Sequence, residues 1–480
     1  MPSTLVSSIP VLALLISLVC IIILRGSDSV LDFSPWLLGG AALLALLLTV
    51  TTTRRPLSLL WYGMVRSGQQ ILPAVPILLL IGTLSASWML SGTVPVLIDS
   101  GLAILSPGLF LPAACAVCAI VSVLTGSSWT TIATIGVALM GIGTILGLSP
   151  GWIAGAIVSG AYFGDKISPL SDTTVLASSS CNVDLFRHIR NMMITTTPAI
   201  VIALAVYFIA GMTLTDACRE ATSTEMRAAL AESFNLSPWL ALVPLATCVM
   251  IAFRLPTLLI LGVGTATGVA ALWLLQPGVT EWLTASGDGA FVATAKALLL
   301  PTALPTGDPA IDELAATGGL VGMLPTIWLI LSAMLFGGVM IGSGMLKVLT
   351  RAFVRRLRRR NSLVGATVCS GLFLNVCTGD QYISLIIGGN VYRPAYHRAG
   401  MKPELLSRSL EDSVSVTSVL IPWNSCGMTQ ATVLGVATLA YAPFCIFNIL
   451  SPVMSVAVAW WSARKDAVRS ATAPVGAAQA

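Results

Sequence analysis

Residues 164–174 read Gly164-Asp165-Lys166-Ile167-Ser168-Pro169-Leu170-Ser171-Asp172-Thr173-Thr174, directly after an apolar run over 151–163 that has the character of a membrane helix. A charged side chain at mid-bilayer costs about 3 kcal/mol on insertion scales, so Asp165, Lys166 and Asp172 together would cost about 9 kcal/mol if all were ionised there. A cost of that size points to ion handling. A carboxylate that either holds a cation or takes up a proton performs exchange by itself. Hydroxyls such as Ser168, Ser171 and Thr173 supply hard oxygen ligands to a cation that sheds its water. Lys166 beside Asp165 is open to two readings: a structural ion pair at a helix end, or an ammonium that sets the pH at which Asp165 switches. Asp172 has no adjacent basic residue and follows the break at Pro169, so a direct ion or proton role is expected of it.

A second polar set lies in the later part of the chain: Asn375, Thr378, Asp380, Gln381, Glu411, Asp412, Ser413, Thr417, Ser418, Asn424 and Ser425. Glu411 stands three residues after Arg408, a helical spacing that pairs the two. That leaves Asp412, with Asn424 and Ser425, as the cation ligands of this half, and Lys166, Asp380, Glu411 and Arg408 as gating or charge partners. His188 and His397 lie beside arginines, and without a His-x-x-x-His or Cys/His set a zinc site is not expected. Lys166 with Ser168 is the nearest approach to a serine-nucleophile motif. The chain is therefore not read as an enzyme, and no cofactor is expected.

The elements that must position these residues are membrane helices. With 56% hydrophobic and 9% charged residues and a mean hydropathy of +0.91, the chain belongs to the all-α polytopic membrane class. Apolar spans are expected at 9–24, 35–50, 71–90, 108–124, 192–212, 240–252, 258–275, 321–340, 363–377, 431–450 and 452–461, with a weaker piece at 94–105. Polar interruptions over 125–147, 378–391 and 414–424 suggest re-entrant hairpins or broken helices. Most of the ten cysteines lie in apolar segments, and Cys115-x-x-Cys118 is read as core packing. Basic residues cluster at Arg54-Arg55 and from Lys347 to Arg360, marking cytoplasmic loops in contact with anionic lipid and not a nucleic-acid surface. Acidic stretches follow 212 and span 276–318, which places them outside and both termini in the cytoplasm of a bacterial inner membrane.

The two halves repeat. Gly126 and Gly379 are 253 residues apart, as are Pro150 and Pro403, and Pro169 and Pro422; Ser91-Gly92 and Ser343-Gly344 match at 252. Corresponding loops carry opposite charge bias, as expected of inverted-topology repeats with interrupted helices, an organisation that points to a secondary transporter. The expected divisions are an N-terminal pair at 1–53, a first repeat at 54–212, a connecting region at 213–307, a second repeat at 308–465 and a disordered tail at 466–480.

The run at 164–174 resembles the signature of the NhaC family of sodium/proton antiporters. Asp380-Gln381-Tyr382, the stretch from Leu406 to Ser413, and Ile421-Pro422-Trp423-Asn424-Ser425-Cys426-Gly427 are similar to that family's pattern in the same order. The resemblance covers about 50–460 and implies sodium/proton exchange by alternating access, with sodium and protons as partners and a homodimer as the assembly common among relatives. Similar families exchange organic acids or carry amino acids, the alternative that the resemblance leaves open. After Thr174 the chain reads Val-Leu-Ala-Ser-Ser-Ser-Cys, where the family pattern suggests an early Asn.

Overall fold

The computed structural model describes the chain from Pro2 to Thr472 apart from residues 27–28, 54–55, 105, 215–219, 254, 308–310, 313–314 and 356–359. Several charges used to orient the chain, among them Arg54, Arg55, Asp216, Arg219, Arg254, Asp308, Glu313 and Arg356 to Arg359, lie outside the described residues, as does the tail from 473.

Leucine, alanine and valine fill long uncharged runs, and in lipid only a helix satisfies their backbone groups within the segment. The first half comprises α1 (Thr4–Arg25), α2 (Ser29–Thr53), α3 (Leu57–Ile71), α4 (Ala74–Leu90), α5 (Thr93–Ile104), α6 (Pro107–Thr125), α7 (Ser128–Ile145), α8 (Pro150–Ile167), α9 (Asp172–Ser180) and α10 (Leu185–Leu214). Connecting helices follow: α11 (Glu220–Ser233), α12 (Leu242–Ala252), α13 (Thr257–Leu275), α14 (Pro277–Thr284) and α15 (Ala290–Leu299). The second half holds α16 (Leu324–Gly342), α17 (Met345–Arg355), α18 (Arg360–Thr378), α19 (Gln381–Arg398), α20 (Pro403–Leu410), α21 (Ser425–Leu434) and α22 (Ile446–Thr472). Among the described residues eight helices are long and apolar enough to cross a membrane, or up to ten if each of two bent pairs counts as one span. Among the described residues the sole β-contact is a bridge between Thr302 and Thr317.

Two expectations shift and one is narrowed. The span expected at 71–90 is preceded by α3, and the two make a 34-residue apolar run interrupted at Leu72-Pro73. Of the two forms expected for 125–147, the broken helix is the one seen: the chain breaks after Thr125, and α7 continues through a π turn at Ile132–Gly136 to Ile145. The spans expected at 431–450 and 452–461 are instead α21, a short turn over Thr438–Phe444, and α22 bent 56° from that turn. Gly435 in the left-handed region ends α21, and hydropathy does not register such an end. The last helix runs to Thr472, into the stretch read as tail.

Small residues let the helices around the polar run approach backbone to backbone, as membrane helices do. A Cβ at Gly160 would collide with the Cys115 carbonyl and one at Gly164 with the Ala119 carbonyl, while Ser122 Oγ donates to Ala161 O at 2.6 Å. Cys115 and Cys118 are fully buried on this face, and the described cysteines are free thiols. A separate apolar cluster joins α1, α2, α3 and α16. Large apolar side chains such as Leu5, Ile23, Trp36, Ile120, Leu274 and Phe291 are exposed on the outside, the surface that lipid solvates.

The spacing of 253 recurs in backbone conformation. Gly126 and Gly379 both have φ of 65° and end α6 and α18, and Gly147 and Gly400 have φ of 74° and 63°. At Gly126 and Gly379 the chain leaves a helix in the left-handed region and re-enters one two residues later, a turn that favours glycine.

Candidate functional site

Each half breaks its helices twice, and polar side chains cap the new ends. After Gly126, the Thr125 hydroxyl accepts from Ser127 N at 3.1 Å, and Ser127 Oγ accepts from Thr130 N at 3.2 Å to start α7. After Gly379, Thr378 Oγ1 accepts from Asp380 N at 3.2 Å and Asp380 Oδ1 accepts from Ile383 N at 2.9 Å to start α19. The second break in the first half is the turn Ser168-Pro169-Leu170-Ser171, closed by Ser171 N donating to Ser168 O at 3.3 Å, after which Ser171 caps α9. Its counterpart unwinds further: α20 passes into a π turn at Glu411–Ser415 and a 3-10 turn at Ser418–Leu420, then breaks at Pro422 before Asn424 caps α21. Asn375 Nδ2 pins the unwound stretch by donating to Val414 O at 2.7 Å.

Four helix N-termini thus come from the two halves, and their partial positive charge attracts carboxylates. A cavity of about 540 Å³ opens among them, and its wall includes Asp165, Ser171, Asp172, Thr173, Asp380 and Ser425. Asp165, half-buried at the end of α8, accepts on Oδ2 from Ser128 N at 3.2 Å and from Ser128 Oγ at 2.7 Å. Asp172 is exposed in the first turn of α9. Asp380 is buried, with Ser425 Oγ donating to its Oδ2 at 3.2 Å. The positions equivalent to Ser128 and Asp165 are Gln381 and Ser418, and Ser418 Oγ donates to Gln381 Oε1 at 3.3 Å. The same contact is therefore ionisable in one half only. Among the described residues no three His, Cys, Asp or Glu side chains form a metal cage, so a cation here would be held by one or two carboxylates together with hydroxyls and carbonyls.

Lys166 corrects the simplest reading of the sequence. Its ammonium pairs with Asp412 of the second half, not with its neighbour Asp165, because adjacent residues on a helix point about 100° apart. Lys166 Nζ also donates to Ser451 Oγ at 2.8 Å, while Thr195 Oγ1 and Ser451 Oγ donate to Asp412 Oδ1 at 3.2 and 3.1 Å. The pair is buried, at 2% and 0% exposure. Nor does Glu411 bond to Arg408: both Glu411 carboxylate oxygens and Arg408 Nε are buried without regular hydrogen-bond partners, although the backbone through Leu410 and Glu411 stays right-handed helical.

Other expected ligands serve the backbone. Ser168 Oγ donates to Val123 O at 2.8 Å, tying the end of α8 to α6. Asn424 Oδ1 accepts from Cys426 N at 3.1 Å. Neither Ser168, Asn424 nor Asp412 is on the wall of the large cavity. Tyr162, Thr195, Ser415 and Ser451 also stand at the site, outside the motifs that mark it in the sequence. Tyr162 lies three residues before Asp165, and Ser415 four after Glu411; that spacing was the available signal.

A multi-pass helical membrane protein with a polar cavity at interrupted helices from two halves has the architecture of a secondary transporter. The model of the Na+/H+ antiporter family matches residues 1–184 and 160–463. The chain is 40% identical over 387 residues to the Na+/H+ antiporter NhaC of Alkalihalophilus pseudofirmus, covering 79% of this chain and 80% of the relative. It is 36% identical over 392 residues to the arginine/ornithine antiporter ArcD of Halobacterium salinarum, covering 80% and 78%. It is also 33% identical over 377 residues to the malate-2H+/Na+-lactate antiporter of Bacillus subtilis, covering 78% of each. The chain belongs to the Na+/H+ antiporter family.

Proposed function

We propose that this protein exchanges sodium for protons by alternating access, with the two ions competing for Asp165. The observation that carries this reading is that Asp165, steadied on one oxygen by Ser128, faces a polar cavity bounded by broken helices of both halves. Asp165 Oδ1 is the atom we assign to the ion. Asp172 and Asp380 supply negative potential on the same wall, and Ser171, Thr173 and Ser425 supply neutral oxygens. Lys166 and Asp412 act as the charge pair that holds α8 against the second half, and Arg408 as a charge near it. Asn424 and Ser168 shape the site through the backbone. In this reading the halves cross the membrane in opposite directions, the termini are cytoplasmic and the protein acts as a homodimer in a bacterial inner membrane. Opposite loop charges, the matched breaks at Gly126 and Gly379 and the family membership support this arrangement.

A second reading has its own observation. A cavity of about 540 Å³ falls in the range of small-molecule sites, far more than a bare cation fills, so a small organic acid or amino acid is the alternative cargo. Reconstitution in vesicles with an internal pH dye separates the two. Sodium or lithium moves protons if the first reading holds; if only malate, lactate or an amino acid does so, it is overturned. Asp165→Asn abolishes sodium-driven proton movement while the protein still inserts and elutes as a single species.

A further inference from the structure

Beneath the large cavity lies a void of about 10 Å³, lined by Tyr162, Asp165, Lys166, Thr173, Gln381, Glu411, Ser415 and Val416. That is room for one water-sized occupant. Four polar atoms of its wall are buried with no partner at regular hydrogen-bond geometry: Tyr162 Oη, Ser415 Oγ and both carboxylate oxygens of Glu411, with Ser415 and Thr173 near the Glu411 carboxylate and Cys426 near the Tyr162 hydroxyl. Glu411 is fully buried, and Tyr162 and Ser415 are 4% and 5% exposed. Native proteins rarely leave one such atom unsatisfied, and here four border a single void.

The charges around Glu411 say what the void should hold. Lys166 is committed to Asp412 and Ser451. On the same segment Arg408 faces Asp412, and His188 of α10 stands by the Lys166–Asp412 pair with Nδ1 bonded to Ser407 Oγ at 2.8 Å. Cys181, at the end of α9 and beside Arg393, is a further titratable group near Glu411, as are Asp165 and Tyr162. Tyr392 and Tyr396 of α19 bond to Ser370 and Thr367. Among the described residues no ion pair is made to Glu411, and an unpaired buried carboxylate is costly enough that it must carry a proton or hold a cation. Asp165 and Thr173 line both this void and the large cavity, so the void has one carboxylate in contact with the open side and one without.

We propose that Glu411, with Tyr162 and Ser415, forms an inner sodium site that shares its void with Asp165. On sodium entry Asp165 gives up its proton to water in the large cavity, the O–H bond of Glu411 breaks and its proton leaves by way of the same Asp165 carboxylate, and sodium takes the vacated charge. This rests on the exchange reading above and adds a second titrating carboxylate to it. Glu411→Gln keeps the shape and the neutral form, so the fold is retained.

The test is infrared difference spectroscopy of the purified full chain in lipid, with sodium chloride against choline chloride, beside vesicle transport. Wild type loses two protonated-carboxyl bands on adding sodium. Glu411→Gln loses one of them, Asp165→Asn the other, and Tyr162→Phe raises the sodium concentration for half effect about tenfold. If Glu411→Gln leaves the band pattern and antiport unchanged, the inner site is overturned and the exchange reading stands. If wild type moves no protons with sodium and shows no sodium-sensitive band, both are overturned.

Discussion

Replacing Lys166 with Met tests whether the buried pair between the halves holds the site together. The change removes the ammonium that Asp412 faces and leaves that carboxylate at 0% exposure with only Thr195 and Ser451 donating to it. Removing one partner of a buried pair costs about 3–5 kcal/mol. The two remaining hydroxyls offset part of this, so about 3 kcal/mol is expected. Asp412→Asn strands the ammonium with Ser451 Oγ and the Phe447 ring, whose centroid is 5.6 Å away, and a loss of about 3 kcal/mol is expected again. The double variant Lys166→Met/Asp412→Asn buries neither charge, so it should cost no more than either single change, a coupling of about 3 kcal/mol. The assay is denaturant unfolding in detergent followed by tryptophan fluorescence, with the denaturant slope checked for constancy across the four proteins. Losses that add to within about 0.5 kcal/mol would refute the reasoning, because independent sites behave that way.

Ser128→Ala removes the hydroxyl that donates to Asp165 at 2.7 Å; at about 1.5 kcal/mol for a bond to a charged group, the half-saturating sodium concentration in vesicle assays should shift roughly tenfold. Gly160→Val drives a branched side chain into the Cys115 carbonyl, and a loss of about 1–3 kcal/mol in detergent unfolding is expected. Gly126→Ala, at a φ of 65° and against Leu170, should impair transport more than Gly278→Ala, where nothing lies within 4 Å of the added Cβ; equal transport in the two would count against the matched breaks. In the connecting region, the Thr306 N–H at 2.6 Å and then its hydroxyl at 2.7 Å hold Asp312 below the usual carboxylate range. A depressed folded value means that the order it gives is present above the ordinary Asp range and lost as pH falls through that range and below it. Hydrogen exchange at Thr306 should therefore show added protection at neutral pH that disappears in acid, and Asp312→Asn should remove the difference.

The sequence by itself determined the class, because long uncharged apolar runs admit only helices in lipid. It also located the breaks, since glycine and proline act through their own backbone geometry: Gly126, Gly379, Pro169 and Pro422 mark helix ends without reference to any neighbour. Asp165, Asp172, Asp380 and Ser425 were legible as site candidates because polar groups at such breaks are costly unless used. Only the tertiary structure decided partners. Lys166 pairs across 246 residues with Asp412 and not with the acid beside it, a choice set by how α8 packs against the unwound segment after α20. Likewise Asn424 spends itself on a cap, and Glu411 lines the void it shares with Tyr162 instead of bonding to Arg408. Spacing along the chain fixes which residues share a helix face, whereas side chains from distant segments meet only where the packed helices bring their faces together.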